Sequence, residues 1–344
     1  MARLGVTRVA ELTHLDRLGF PVFQAVRPMS RALSVHQGKG ASDDDARVSA
    51  IMEAAESAAA EAIEPAGPHA AYADLPIGNR CNGLADYGWR HRNTVLSDRQ
   101  PMQWHEAAAV DSGRRLMVPF DTVTLDMTRT CDSPFVRSST GLAAGANEAD
   151  ALAAAAFELV EREAQARWLK SGMVAQTMAK VDIASIDCTW VAAVADHLAG
   201  IDLSLSVYAL SGLGNLPVVI CRIDEPGHAP SFAGAACRVD AGDALLRAFG
   251  EAVQSRLTVI SGNRDDIEPD EPVLTGIAAI GPPTGTPHVD WRRFRDDGRA
   301  SDPLQALCDA GFAPLRIDYP APCEGIAVVK LIAPGLAVDP AMLA

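Results

Sequence analysis

The chain has 344 residues, 48% of them apolar and 22% charged, which is enough for a large core in one domain or in two intimately packed lobes. A net charge of −14 argues against a nucleic-acid binder, because phosphate backbones call for a basic stripe. No apolar run is long enough to span a bilayer, the charge-studded start MARLGVTRVAELTHLDRLG is no secretory signal, and the seven scattered cysteines without a CxxC read as reduced thiols of a cytoplasmic protein.

In chain order, residues 8–18 read as a short helix, and residues 22–26 and 33–36 as strands. Gln37-Gly38-Lys39-Gly40 then brackets a lysine with glycines. Ser42 before Asp43-Asp44-Asp45 is an N-cap with acid in the first turn, and it opens a helix that stops before Pro65. Residues 65–112 are the least regular stretch, with a basic cluster at Trp89-Arg90-His91-Arg92 and room for a short helix near 74–79 or 104–110. Residues 116–120 read as a strand. Residues 126–147 read as a Ser/Thr/Gly loop feeding an Ala-rich helix at 149–170, a junction whose free N–H groups suit phosphate or metal. A helix at 189–198, paired strands at 203–210 and 218–223, a strand at 232–238 and a helix at 242–261 follow. Residues 267–302 read as a surface excursion, followed by a helix at 304–310 and strands at 315–318 and 326–331. This mixed order predicts an α+β fold rather than a regular βαβ series. The likeness of the helices at 43–63 and 149–170 hints at an internal duplication.

Three helices each carry oxygen ligands three residues apart: Glu53 and Glu56, Glu158 and Glu161, Glu251 and Gln254. That spacing sets each pair on one helix face. A single such pair usually makes a solvated face. Three pairs beside Ala and Ser, whose small side chains let helices approach, point to a hard cation such as Mg²⁺ instead. The familiar nucleotide motifs are absent: Leu33 and Gly40 break the P-loop pattern around Lys39, and Gly212-x-Gly214 lacks a third glycine. His36, His91 and His288 read as surface or hydrogen-bonded histidines rather than ligands.

Four segments carry a resemblance. SVHQGKGASDDDARVSAIMEAAE, SSTGLAAGANEADALAAAAFELVERE, LLRAFGEAVQSRLTVISGNRDD and GIAVVKLIAPGL, spread between Arg27 and Leu336, resemble in order the signatures of the YcaO superfamily. The resemblance implies a single YcaO domain over 1–344, with residues 1–20 as an extension, and an ATP site without a P-loop. It also implies phosphorylation of a peptide-backbone amide oxygen. By position it assigns Glu53, Glu56, Glu158 and Glu161 to Mg²⁺. Lys39, Ser49, Thr140, Asp150 and Arg256 go to ATP, and Arg162, Glu251 and Gln254 to catalysis. Ser57 stands where many members have Arg, Thr140 where Asn is common, Asp150 where Glu is common, and Glu163 where Asp often follows. The end lacks the Pro-rich tail of azoline-forming members, and no leader-binding domain precedes residue 20. With the RP-x-S-x-x-L-S opening, this looks more like members that make thioamides with a TfuA-type partner supplying sulfur. A ribosomally made peptide or protein is the implied substrate and a homodimer the implied assembly.

Three other activities are weighed beside thioamidation. One is azoline formation. Another is a nucleotide-binding accessory role in ribosomal-protein methylthiolation. The third, from the residues alone, is a metal-dependent phosphohydrolase indifferent to peptide.

Overall fold

The computed structural model describes residues 1–81, 83–88, 94–131, 133–227, 231–263, 286–297 and 302–337. The chain opens with β1 (Arg8–Glu11), β2 (Val22–Val26) and β3 (Val35–Lys39), an antiparallel three-stranded sheet, and continues into helix α1 (Asp43–Ala62). Next come β4 (His69–Ala71), β5 (Pro101–Ala109), β6 (Arg115–Pro119) and β7 (Leu142–Gly145), then α2 (Glu148–Lys170), the short α3 (Gly172–Met178) and α4 (Thr189–Gly200). The hairpins β8 (Ser204–Ser211), β9 (Pro217–Asp224) and β10 (Phe232–Cys237) form a second antiparallel sheet and lead into α5 (Ala241–Ser261). After α6 (Trp291–Asp297) and α7 (Pro303–Asp309), β11 (Leu315–Asp318) and β12 (Ala327–Ile332) close a six-stranded sheet. Its order is β4-β5-β11-β12-β7, with β6 beside β5.

One device occurs three times. A strand leads into a helix whose N-cap side chain accepts the N–H three residues on: Ser42 from Asp45, Asn147 from Asp150, Asp240 from Asp243. Eleven residues after each cap stands a glutamate: Glu53, Glu158 and Glu251. Eleven residues make just over three full turns, so each glutamate lies above its own cap, about 16 Å along the helix. The strand meets the helix through a glycine. A Cβ on Gly38 would lie 2.0 Å from the Ala50 nitrogen of α1, and one on Gly234 would lie 2.4 Å from the Ala252 nitrogen of α5. Gly145 meets Ala151 of α2 in the same way. Each helix also touches the strand of another unit: α1 touches β7, α2 touches β10 and α5 touches β3. The contacts close a ring, and the strand–helix arrangement noticed at two helices occurs at three.

Several expectations change. Residues 8–18 hold strand β1 and one 3-10 turn, not a helix, because Arg8–Glu11 pair with Val26–Phe23 of β2 and the pairing overrides helical propensity. Within the first twenty residues, Leu4 and Val6 are buried in the core under α1. The irregular stretch 65–112 contains β5, nine residues long. The helix expected at 104–110 is part of this strand, held by β4, β6 and β11. The 126–147 loop contains β7, which pairs with β12. Part of the expected 267–302 excursion is helix α6, whose Trp291 is buried. The basic cluster 89–92, residues 264–285 and the last seven residues lie outside the described residues. All seven cysteines are free thiols. Among the described residues, no helix is long and apolar enough to cross a membrane.

Candidate active site

The glutamates of α1, α2 and α5 meet where the ring closes. On α1, buried Ala50, Ala54 and Ala55 let the helix lie close to its sheet and carry Glu53 and Glu56 inward. Glu56 reaches across to β7 and accepts the Ala144 N–H at 2.7 Å. Burial pushes the Glu56 carboxyl up to about 8, with Glu53 and Glu158 adding to the rise against the Ala144 N–H. On α2, Glu158 accepts the Gly141 N–H at 3.0 Å and lies 3.5 Å from Arg162. Both side chains keep 25% exposure, so a ligand can reach them from solvent. Burial raises the Glu158 carboxyl above the usual range in spite of Arg162, the Gly141 N–H and Lys330. Glu161, one turn deeper, is held at 2.9 Å by Gln165, and burial together with Glu251 pushes it up to about 8.

The α5 side comes from a different part of the chain. Lys39 of β3 approaches Glu251 at 3.4 Å, and Gln254 donates to the Gln37 carbonyl at 3.5 Å. The glycines around Lys39 therefore serve helix packing, while the lysine itself points across to α5. The Gln254 Oε1 is buried and has no hydrogen-bond partner among the described residues, which leaves an acceptor for a ligand. Arg162 stays firmly cationic: burial works against its charge, but Glu158, Glu161 and Glu251 outweigh it.

Residues not singled out from the sequence complete the site. Lys330 of β12, 4% exposed, donates to the Ser138 carbonyl and faces Glu158. Burial pushes it down to about 8, opposed by Glu158. Arg238, just after β10, lies over the Phe157 ring and near Glu161, and burial lowers its pKa. Arg247, four residues before Glu251, falls on the same face of α5 and pairs with Asp243 at 3.1 Å.

Other assigned residues fall at varying distances from this centre. Ser49 is half-buried on α1, four residues before Glu53 and so on the same face. Thr140 hydrogen-bonds with Ser138 and borders a cavity beside Lys330. Asp150 sits at the start of α2, where its carboxylate accepts from Asn147 in the helix cap, about 12 Å along the axis from Glu158. Arg256 is drawn away from the cluster. Its guanidinium binds Asp16 at 2.8 Å and Glu225 at 2.5 Å and covers the Phe232 ring. Five residues beyond Glu251 is about 140° around the helix, so the two face different surroundings. His36 is buried and hydrogen-bonded with Arg27 and Ser57, a structural role.

Five carboxylates, one orphaned amide oxygen and several cations around a cleft form a donor set suited to a hard divalent cation and the phosphates it accompanies. Among the described residues, no three His, Cys, Asp or Glu side chains stand close enough together to hold an ion as they are placed. The chemistry of the donors nevertheless fits Mg²⁺. Glu56 and Glu161 are acids that burial has deprived of water, and a cation would supply the missing compensation.

A pH dependence follows from these two groups. Their folded-state values rise from the usual 4.5 to about 8, so the folded protein binds protons more tightly than the unfolded chain between those limits. The melting temperature of the protein without Mg-ATP is expected to fall as pH rises from 4.5 to 8, through this contribution. Saturating Mg-ATP should flatten the trend, and thermal melts across that range with and without Mg-ATP read the difference.

Comparison with known proteins bears on this geometry. The profile of the family described as YcaO cyclodehydratase, ATP- and Mg²⁺-binding, matches residues 37–337. An uncharacterized protein of the tfuA 3′ region of Rhizobium leguminosarum bv. trifolii is 30% identical over 97% of this chain and 84% of its own length. Rv1375 of Mycobacterium tuberculosis is 34% identical over 78% of this chain and 60% of its own. Among solved structures, a heterocyclase in complex with substrate and cofactor superposes with a TM-score of 0.74 at 18% identity. The match covers 97% of this chain but only half the length of that heterocyclase. YcaO from Methanopyrus kandleri, bound with AMPPCP and Mg²⁺, superposes with a TM-score of 0.68 at 18% identity, over 98% of this chain and 87% of that one.

Proposed function

The chain belongs to the YcaO family, and from that premise we propose that it uses ATP to activate a peptide-backbone amide so that sulfur replaces the amide oxygen. The observation that carries the reading is the meeting of Glu53, Glu56, Glu158, Glu161 and Glu251 beside Arg162 and Lys39, a site built to neutralise polyphosphate through metal.

An amide oxygen leaves poorly, and conversion to a phosphate ester corrects that. Sulfide adds to the amide carbon, the resulting oxyanion takes the γ-phosphoryl group, and phosphate departs with the former amide oxygen as the C=S bond forms. Mg-ATP supplies the phosphoryl group and the charge neutralisation. The protein supplies positioning and electrostatics, which are the main needs of phosphoryl transfer.

Each pair has a part in this reading. Glu53, Glu56, Glu158 and Glu161 hold the metal, with Ser49 beside them toward phosphate. Glu158 is fixed by the Gly141 N–H, so it reaches the metal without rotating freely. Arg162 and Lys39 offer donors to phosphate oxygens from opposite sides, α2 and β3. Glu251 and the free Gln254 oxygen close the third side. Thr140 and Asp150 belong to the nucleotide's flank, whereas Arg256 supports α5 from behind.

Thioamidation is preferred because a relative matching 97% of the chain is named for the tfuA region. A TfuA-like protein is then the sulfur-delivering partner. The heterocyclase fold match favours azoline formation as the second reading, in which a Cys, Ser or Thr side chain replaces sulfide as nucleophile. Incubation with Mg-ATP, sulfide and a synthetic peptide library, with and without a TfuA-like partner, followed by mass spectrometry, separates them. Exchange of one oxygen for sulfur is expected. Loss of water would assign azoline formation, and ATP hydrolysis indifferent to peptide would assign a phosphohydrolase.

A further inference from the structure

A cavity of about 200 Å³ lies against the Ser138–Thr140 loop, which leads on to the carboxylate cluster. The loop borders both spaces. Ser138 and Thr140 line the cavity, while the next residue, Gly141, donates its N–H to Glu158. Tyr87, Val136, Leu159 and Leu336 give the cavity apolar walls. Among the described residues its charged lining groups are Lys330 and Asp86, of opposite sign. None of Lys39, Arg162, Arg238 and Arg247 lines it.

Those features decide what the space can take. A polyphosphate needs an excess of positive charge, and among the described residues the cavity has none. Its volume falls below the roughly 300–1,000 Å³ of pockets for drug-sized ligands, and suits one residue with its adjoining peptide group. An ammonium carries three donors, and the Ser138 carbonyl takes one from Lys330. The others are free to meet an acceptor oxygen next to Glu158, where transferred phosphoryl would arrive.

We propose that this cavity binds the backbone amide to be activated, with Lys330 holding the amide oxygen and the apolar walls receiving the adjoining side chain. The assignment rests on the amide-activating reading of the neighbouring site and gives that site its acceptor half. Lys330 is the residue that touches the substrate, and the Ser138 carbonyl positions it. No covalent step occurs in the cavity itself beyond transfer to the oxygen Lys330 holds.

The probe is a mixture of blocked tripeptides, acetyl-Gly-Xaa-Gly-amide, observed by saturation-transfer NMR on the full chain with Mg-AMPPCP present. The wild type is expected to bind at least one member of the mixture. Lys330→Met, close in size but without the donor, should weaken that binding about ten-fold, as expected for a lost charge-assisted hydrogen bond. Leu336→Trp, which fills the cavity and leaves Lys330 in place, should abolish peptide binding while sparing the nucleotide. Adenosine should not displace the peptide.

Any of four results overturns the proposal: no peptide binds to the wild type, both variants retain peptide binding, adenosine competes, or Leu336→Trp loses the nucleotide. Failure of the amide-activating reading looks different. Peptides would bind as described, yet no member of the mixture would be altered by Mg-ATP and sulfide.

Discussion

Glu161→Gln is expected to weaken Mg-ATP binding about a hundred-fold and, at the same time, to raise the melting temperature of the protein without nucleotide. The two directions come from one cause. Glu161 is 8% exposed, and burial with Glu251 nearby pushes its carboxyl up to about 8. At neutral pH the empty site must either hold a costly charge or take up a proton. Gln removes that cost, keeps an oxygen to accept from Gln165, and nearly preserves the shape. What it cannot do is offer a negative charge to a metal. Loss of one partner from a buried ionic contact costs about 3 kcal/mol, roughly two powers of ten in affinity. Calorimetric titration and thermal melting on the same sample check both halves. Unchanged nucleotide affinity would misplace the site.

Gly38→Ala is expected to destabilise the fold by about 3 kcal/mol, the upper end of what overpacking costs. The new Cβ would meet the Ala50 nitrogen at 2.0 Å, the Ala46 carbonyl oxygen at 2.4 Å and the Ser49 carbonyl carbon at 2.6 Å. All three are backbone atoms, so no side chain can swing aside, and α1 must move away from β3. The site would feel the movement too. α1 carries Glu53 and Glu56, while β3 carries Lys39 and the Gln37 carbonyl that anchors Gln254. Gly78→Ala is the control, since a Cβ there meets nothing within 4 Å. Urea unfolding of the two variants should separate them clearly, and equal midpoints would contradict the close packing of strand on helix.

The helices were the legible part of the sequence. Ser42 marks a helix start by local chemistry, and ExxE or ExxQ spacing marks one face. Those signals need no tertiary contact, and they led to the residues that cluster. Strands were harder. Arg8–Glu11 and Trp104–Ala109 carry residues that a helix would accept, and only pairing with β2 in one case, and with β6 and β11 in the other, makes them extended. Leu142–Gly145 is too short and glycine-rich to stand out from its loop.

The site divides the same way. Carboxylates on helices announced themselves by repetition, whereas Lys330 and Arg238 are single basic residues at strands, with no periodicity to say what they face. Arg256 is a different case. The motif places it near Glu251 in sequence, but helix geometry turns it toward Asp16 and Glu225. Arg247, on the Glu251 face, shows what the same geometry would have selected.

The most direct test of the account is calorimetric titration of the purified protein with ATP, first with Mg²⁺ and then with Mg²⁺ removed. The account predicts saturable binding that depends on Mg²⁺, because the carboxylates meet phosphate through metal. Equal binding with and without Mg²⁺, or none in either case, would contradict it.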